Sequence, residues 1–220
     1  MKTFLRISTL ALAATVIFSS CKKEDSDRSF SSANPQGYVI SGTFRHEFIY
    51  KGMDQPIVIK FLGDNKVEWH TVKNTWTREY RMINDTFYFD RNDLESFAIK
   101  DGKVTWFVNA TDIRGWDLSL QKEPGKNELE GKTFTGVYYK PNGTVLHASF
   151  FYNFIAGNKS EAGYTEGTVV RTDAYTSIAN LASRSNPAAG QTEFTMLFNS
   201  KLYAYYETSN TLQYAKLEPK

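Results

Sequence analysis

"DGKVTWFVNATDIRGWDLSLQKEP", residues 101–124, decides the fold. Val104, Trp106 and Val108 share one face of a period-two pattern, and further on Trp116, Leu118 and Leu120 alternate with Asp117 and Ser119. A period of two rather than 3.6 marks half-buried β-strands. Asp101-Gly102, just ahead, supplies residues that tolerate the positive φ of a two-residue hairpin turn. Toward the N-terminus the same grammar recurs, in Ile57, Ile59 and Phe61 and in Val67 and Trp69, with turn signals at Asp64-Asn65 and Asn84-Asp85. About eight strands joined by short turns are predicted between Ser41 and Lys122, an antiparallel meander that closes as a barrel or a strongly bent sheet.

The remainder of the chain repeats this plan. "NSKLYAYYETSNTLQYAKLEP", 199–219, lies over the opening stretch with a short gap, and "GKTF" at 131–134 echoes "SGTF" at 41–44. Both halves run into Glu-Pro, at Glu123-Pro124 and Glu218-Pro219. A period of roughly ninety residues is too long for a solenoid unit and suits tandem small domains. The fold class is therefore all-β, with two small antiparallel meander domains in tandem, each a barrel or a sandwich, at 38–123 and 128–219. "PGKNELEG", 124–131, reads as the linker. Strands are expected at Thr133–Lys140, Val145–Ile155, Glu193–Asn199, Lys201–Glu207 and Thr211–Leu217, with Asn142-Gly143 the best turn. Residues 171–190, rich in small side chains, read as a short helix or a long loop.

The first twenty residues read as a secretory leader. Lys2 and Arg6 precede the apolar run Leu10 to Phe18, which falls short of the roughly 20 residues a membrane span needs. Ser19-Ser20 then precede Cys21, the single cysteine. This arrangement resembles the lipobox of bacterial lipoproteins, and the Lys22-Lys23-Glu24-Asp25 that follows resembles the surface-export signal of Bacteroidota lipoproteins. The resemblance implies cleavage before Cys21, lipidation of its thiol and an outer-membrane, surface-exposed location. Residues 21–37 form the lipidated tether; sixteen flexible residues span roughly 22 Å.

Removing residues 1–20 takes away two of the 26 basic residues and none of the 24 acidic ones, so the mature chain is formally neutral. That argues against nucleic acid, whose backbone calls for a basic patch. One cysteine allows no intrachain disulfide and no multi-thiolate metal site.

Each half resembles, in size and meander, the lipocalin-like small barrels. The Gly-x-Trp that opens true lipocalins is replaced by Gly42-Thr43-Phe44, and a deep cavity is not expected from it.

Candidate binding residues are aromatic. Trp69, Trp76, Trp106 and Trp116 all lie in the first half. They read either as core filling or as a platform for a sugar or apolar ligand, with Trp76 the most exposed. The second half carries tyrosines instead, of which Tyr138, Tyr203 and Tyr205 are candidates for an outward recognition surface. His70 is expected to point away from the core. His46, His70 and His147 lack metal-motif spacing, "DRND" at 90–93 reads as a plain turn, and no residues point to a cofactor. No catalytic motif is visible. The expected function is a lipid-anchored binding module for a glycan or small apolar ligand. The alternatives are an adhesive protein-interaction lipoprotein and, last, a hydrolase working through carboxylates such as Glu68, Glu79, Asp90 or Asp117.

Overall fold

A computed structural model of the protein describes residues 30–31, 33–46, 53–89, 95–100, 103–108, 113–209 and 211–220, the side chains of 107, 108 and 113–116 excepted. Cys21 and its leader, the Asp101-Gly102 turn, the 90–93 segment and the indole of Trp116 lie outside the described residues.

The first half contributes β1 (Tyr38–His46), β2 (Asp54–Phe61), β3 (Lys66–His70), β4 (Thr75–Glu79), β5 (Arg81–Ile83), β6 (Thr86–Tyr88), β7 (Glu95–Lys100), β8 (Lys103–Val108) and β9 (Ile113–Lys122). The second contributes β10 (Thr133–Tyr139), β11 (Val145–Ile155), β12 (Lys159–Gly163), β13 (Arg171–Ala174), β14 (Thr176–Ile178), β15 (Ala182–Ser185), β16 (Thr192–Phe198), β17 (Lys201–Glu207) and β18 (Leu212–Pro219). Two antiparallel nine-stranded sheets result, ordered β4-β3-β2-β1-β9-β8-β7-β6-β5 and β13-β12-β11-β10-β18-β17-β16-β15-β14. The two orders are one permutation. In each, the first strand pairs with the last, so the sheet curls into a nearly closed barrel with one slot, between the fourth and fifth strands. The chain crosses that slot without reversing, bending at Tyr80 in one barrel and at Tyr175 in the other. Both bends are held alike: Tyr80 N–H donates to the Asn65 carbonyl (2.8 Å), and Tyr175 N–H to that of Asn158 (2.9 Å). Asn65 and Asn158 both sit at φ 54°, the left-handed turn conformation that asparagine tolerates.

The ladders fix residue-by-residue equivalence between the barrels. Ile40 faces Ile59 as Phe134 faces Tyr152, and Gly42 faces Ile57 as Gly136 faces Phe150. Trp69 faces both Ile59 and Trp76, as Ala162 faces Tyr152 and Arg171. Lys100 closes on Lys103 as Phe198 closes on Lys201. This confirms the overlay of Asp101 on Asn199 and corrects the two shorter echoes. Ser41 matches Thr135, not Gly131, and Leu118 rather than a residue near Glu123 matches Leu217. The matching tetrapeptides and Glu-Pro pairs are strand grammar in a shifted register.

Residues 171–190 are neither helix nor loop but β13, β14 and β15, with Ala179 and Asn180 at positive φ in the turn (48° and 55°). Their apolar members escape a period-two reading because they face outward from their own barrel. Ile178, Ala179, Leu181 and Ala182 join Phe194, Met196, Phe198, Tyr205 and Leu212 in a buried cluster with Val39, Met53, Val58 and Val72 of the first half. The halves thus share a core. Arg184 crosses the seam to the Thr75 hydroxyl (2.6 Å), and the Tyr205 hydroxyl donates to the Asp54 carbonyl (2.7 Å). His70 leaves the interior of its own barrel as alternation requires, yet it is buried, because the second half covers it. It therefore points away from the core of its own barrel, as expected, and into the seam rather than into solvent.

Candidate functional site

The interior of the first barrel is filled by aromatic rings. Trp69 lies among Phe97 (5.5 Å between centroids), Phe89 (5.2 Å) and Trp106 (6.1 Å), and Phe44 meets Trp106 edge-on at 5.5 Å. Trp69 is 2% exposed, and the buried indole N–H groups of Trp69 and Trp106 have no hydrogen-bond partner among the described residues. Rings packed this way serve the core. Trp76, 37% exposed, stacks on Trp69 at the edge strand β4 and is the outermost indole described. The first barrel therefore gives no shared tryptophan platform.

The second barrel differs at the equivalent positions. Trp69, Phe97 and Trp106 become Ala162, Thr195 and Ala204, all buried. Trp76 becomes Arg171 and Phe44 gives way to Tyr138. Glu95, which pairs with Arg78 across the first barrel, becomes Glu193. The rings of Trp69, Phe97 and Trp106 are thereby lost, while Tyr152 and Phe150 stand where the first barrel has Ile59 and Ile57. A cavity of about 300 Å³ lies in this barrel, and the three small residues are not among those that line it. That volume lies at the lower end of the range of ligand pockets, roughly 300–1,000 Å³.

One wall of the cavity is a polar chain. Tyr138 and Tyr152 share a hydroxyl–hydroxyl bond of 2.8 Å, and Tyr152 donates to Glu193 Oε1 at 2.5 Å. This fixes the direction of the first bond, since the Tyr152 proton is committed: Tyr138 donates to Tyr152. Arg171 donates to the same Glu193 oxygen and, through its other Nη, to Asp173, while the Ser185 hydroxyl approaches Oε2 at 3.5 Å. Burial pushes the Glu193 carboxyl up, and the Arg171 guanidinium opposes that shift. Burial also holds the Tyr138 and Tyr152 phenols far above their ordinary range, so both are protonated donors. The opposite wall is aromatic. Tyr164 packs on His147 at 4.6 Å and on Phe150 at 5.6 Å, and Tyr164 is 48% exposed, at the mouth. Tyr206 and Gln213 complete the lining, with the Arg171 guanidinium 5.9 Å from the Tyr206 ring.

Compared with known proteins, the chain matches no family model, no curated protein and no solved structure. Its own geometry is the guide to function.

Of the tyrosine candidates, only Tyr138 lines the cavity. Tyr205 faces outward from its barrel but is buried against the first half, and Tyr203 packs half-buried on the same shared core under the Lys216 ammonium (5.1 Å). Sequence reasoning missed Arg171, Glu193, Tyr152 and His147. The available signal was negative: where the two overlaid stretches align, Trp106 stands over Ala204. Loss of a large core residue between duplicated halves points to a vacated interior. Among the described residues no cluster of three His, Cys, Asp or Glu side chains is placed to hold a metal ion.

Proposed function

We propose that the protein is a lipid-anchored envelope binding module whose second barrel takes a small, uncharged, hydroxyl-rich ligand of monosaccharide size, with the first barrel as its structural partner. The observation that carries this reading is the cavity of the second barrel, where an aromatic wall meets a polar chain built on Tyr138 and Tyr152, which replace Phe44 and Ile59 of the first barrel. The two walls suit a pyranose. Phe150, Tyr164 and His147 offer a surface for its C–H face, and Arg171, Glu193, Gln213 and the tyrosine hydroxyls offer donors and acceptors for its hydroxyls. Charge supports a neutral ligand: Arg171 and Glu193 cancel, and Asp173 adds a negative charge behind them. Location rests on the lipobox resemblance at Cys21 and the charged run after it. Among the described residues no helix is long and apolar enough to cross a membrane.

An adhesive role remains the second reading because Val145, Tyr164, Val169 and Val170 are exposed around β11 to β13. Saturation-transfer NMR separates the two. With glucose, galactose, mannose and N-acetylglucosamine as probes, the wild type shows transfer to at least one sugar, and Tyr164→Ala, which removes an exposed ring of the lining, weakens it. Equal transfer in both proteins, or none to any sugar in the wild type, contradicts the cavity reading.

A further inference from the structure

A second cavity, of about 350 Å³, lies where the barrels meet, between the outer face of β2 to β4 and the strands β14 and β15. Its chemistry is unlike the first, and its assignment does not depend on the sugar reading. Lys60, Glu68, His70 and Thr75 line it from the first half, Ser177 and Arg184 from the second.

Arg184 is the decisive residue. Arg45 rests on Asp54, Arg78 on Glu95, and Arg171 on Glu193 and Asp173. Arg184 instead donates only to neutral acceptors: the Thr75 hydroxyl (2.6 Å) and the carbonyls of Thr71 (2.5 Å) and Asn74 (3.0 Å). Among the described residues no carboxylate lies within ion-pairing distance of it, and burial pulls its pKa down. Glu68 attracts Arg184 from across the cavity without an ion-pair contact, and a partly buried cation so placed is stabilised further by an anion that does make contact. Two further groups are left over: Arg184 Nε and the Ser177 hydroxyl are buried with no hydrogen-bond partner.

The carboxylate present in the cavity is already committed. Glu68 Oε2 lies 3.0 Å from His70 Nε2, and Thr75 Oγ1 lies 3.1 Å from His70 Nδ1. Thr75 accepts from Arg184, so its own proton is directed at Nδ1, and the imidazole donates through Nε2 to Glu68; this tautomer is assigned from the network. Burial, Arg184 and Lys60 hold His70 down against the pull of Glu68, so the ring is neutral at neutral pH. Lys60 reaches Glu123 at 2.8 Å from its exposed end. The lining thus carries two fixed cations, of which Lys60 is already paired with Glu123, one carboxylate and a histidine able to take up a proton.

We propose that this inter-barrel cavity binds an oxyanion, a carboxylate or phosphate group, between Arg184 of the second half and Lys60 and His70 of the first, and so clamps the two barrels together. The occupant touches both halves, so binding raises the unfolding midpoint, and it brings negative charge to His70, so binding raises the pH at which that ring titrates.

The test uses the full protein with inorganic phosphate, citrate and, at matched ionic strength, sodium chloride. Thermal unfolding and the His70 NMR titration are read in each. A rise in both with phosphate or citrate beyond chloride supports the site; phosphate alone assigns a phosphate group, citrate alone a carboxylate. Lys60→Gln should weaken the effect roughly tenfold or more, the worth of a charge-assisted hydrogen bond. Arg184→Gln should abolish it. Should Arg184→Gln fail to fold because its loop contacts are lost, Lys60→Gln carries the test. Responses to phosphate and citrate no larger than to chloride, or unchanged in Lys60→Gln, overturn the proposal.

Discussion

The Arg171–Glu193 pair yields the sharpest prediction. The Glu193 side chain is 3% exposed and that of Arg171 25%, so the pair is essentially desolvated. Removing one member of such a pair costs about 3–5 kcal/mol, because the other charge stays buried and unmatched. Asp173 still touches Arg171 after Glu193→Gln, which places that variant at the lower end, about 3 kcal/mol. In a chain of this length that is a fall in Tm of roughly 6–12 °C. The double variant Arg171→Met with Glu193→Leu leaves no charge of this pair behind. Buried pairs replaced by apolar side chains are often neutral or stabilising. Tyr152 loses an acceptor but keeps its bond to Tyr138, and Asp173, 15% exposed, loses its ion pair with Arg171, each at a cost of about 1 kcal/mol. The double variant is therefore expected within about 2 kcal/mol of wild type, and the cycle should give a coupling energy of at least about 2 kcal/mol. Urea unfolding followed by tryptophan emission and circular dichroism measures all four proteins. Single-variant losses that simply add in the double variant would refute the reasoning.

Further outcomes follow from other groups. Burial pushes the Glu207 carboxyl up to about 7; it is 2% exposed, with the Lys73 ammonium 2.7 Å from Oε1 but off the direction of a hydrogen bond. A carboxyl raised on folding stabilises while protonated, so stability should decline as pH rises from about 4.5 to about 7, by at most about 3 kcal/mol. Glu207→Gln should flatten that window, and a Tm profile unchanged by the substitution would contradict it. Arg171→Met leaves the buried Glu193 without its cation and should recover stability on acidification, measured as a smaller Tm deficit at pH 5 than at pH 7. A Cβ at Gly42 would lie 2.0 Å from the Asp117 carbonyl oxygen, so Gly42→Ala must part β1 from β9 and should abolish soluble expression or cost several kcal/mol. Gly143→Ala, with open space around its Cβ but a φ of 80°, should cost only about 1 kcal/mol by urea unfolding.

Much of the architecture was legible in the sequence. Alternation at Ile57, Ile59 and Phe61 and at Val104 and Trp106 reports strands with one buried face, and Asn65 and Asn84 adopt the positive φ their residue types allow. Duplication was visible because hairpins such as Lys201 over Lys103 keep their spacing. The third layer of burial was not visible. Val58, Ile178 and Phe194 face away from their own barrels and are buried only because the barrels meet, so a two-faced reading treats them as noise or as loop. The same coverage hid His70 and Tyr205. The site was concealed for a different reason. Composition registers the tryptophans that are present, whereas the cavity is lined by residues from separate strands, among them Tyr138, Phe150, Tyr152 and Gln213. Arg171 on β13 and Glu193 on β16 lie on non-adjacent strands, and only the curling of the sheet into a barrel brings them together.

The most direct measurement is a titration of isotope-labelled protein with the four monosaccharides, reading side-chain resonances of both barrels. The account predicts saturable shifts at Tyr138, His147, Phe150 and Tyr164, with the Trp69 and Trp106 indole signals unmoved. Shifts that begin at the indoles, or that spread evenly over the exposed tyrosines without saturation, would contradict a binding cavity in the second barrel.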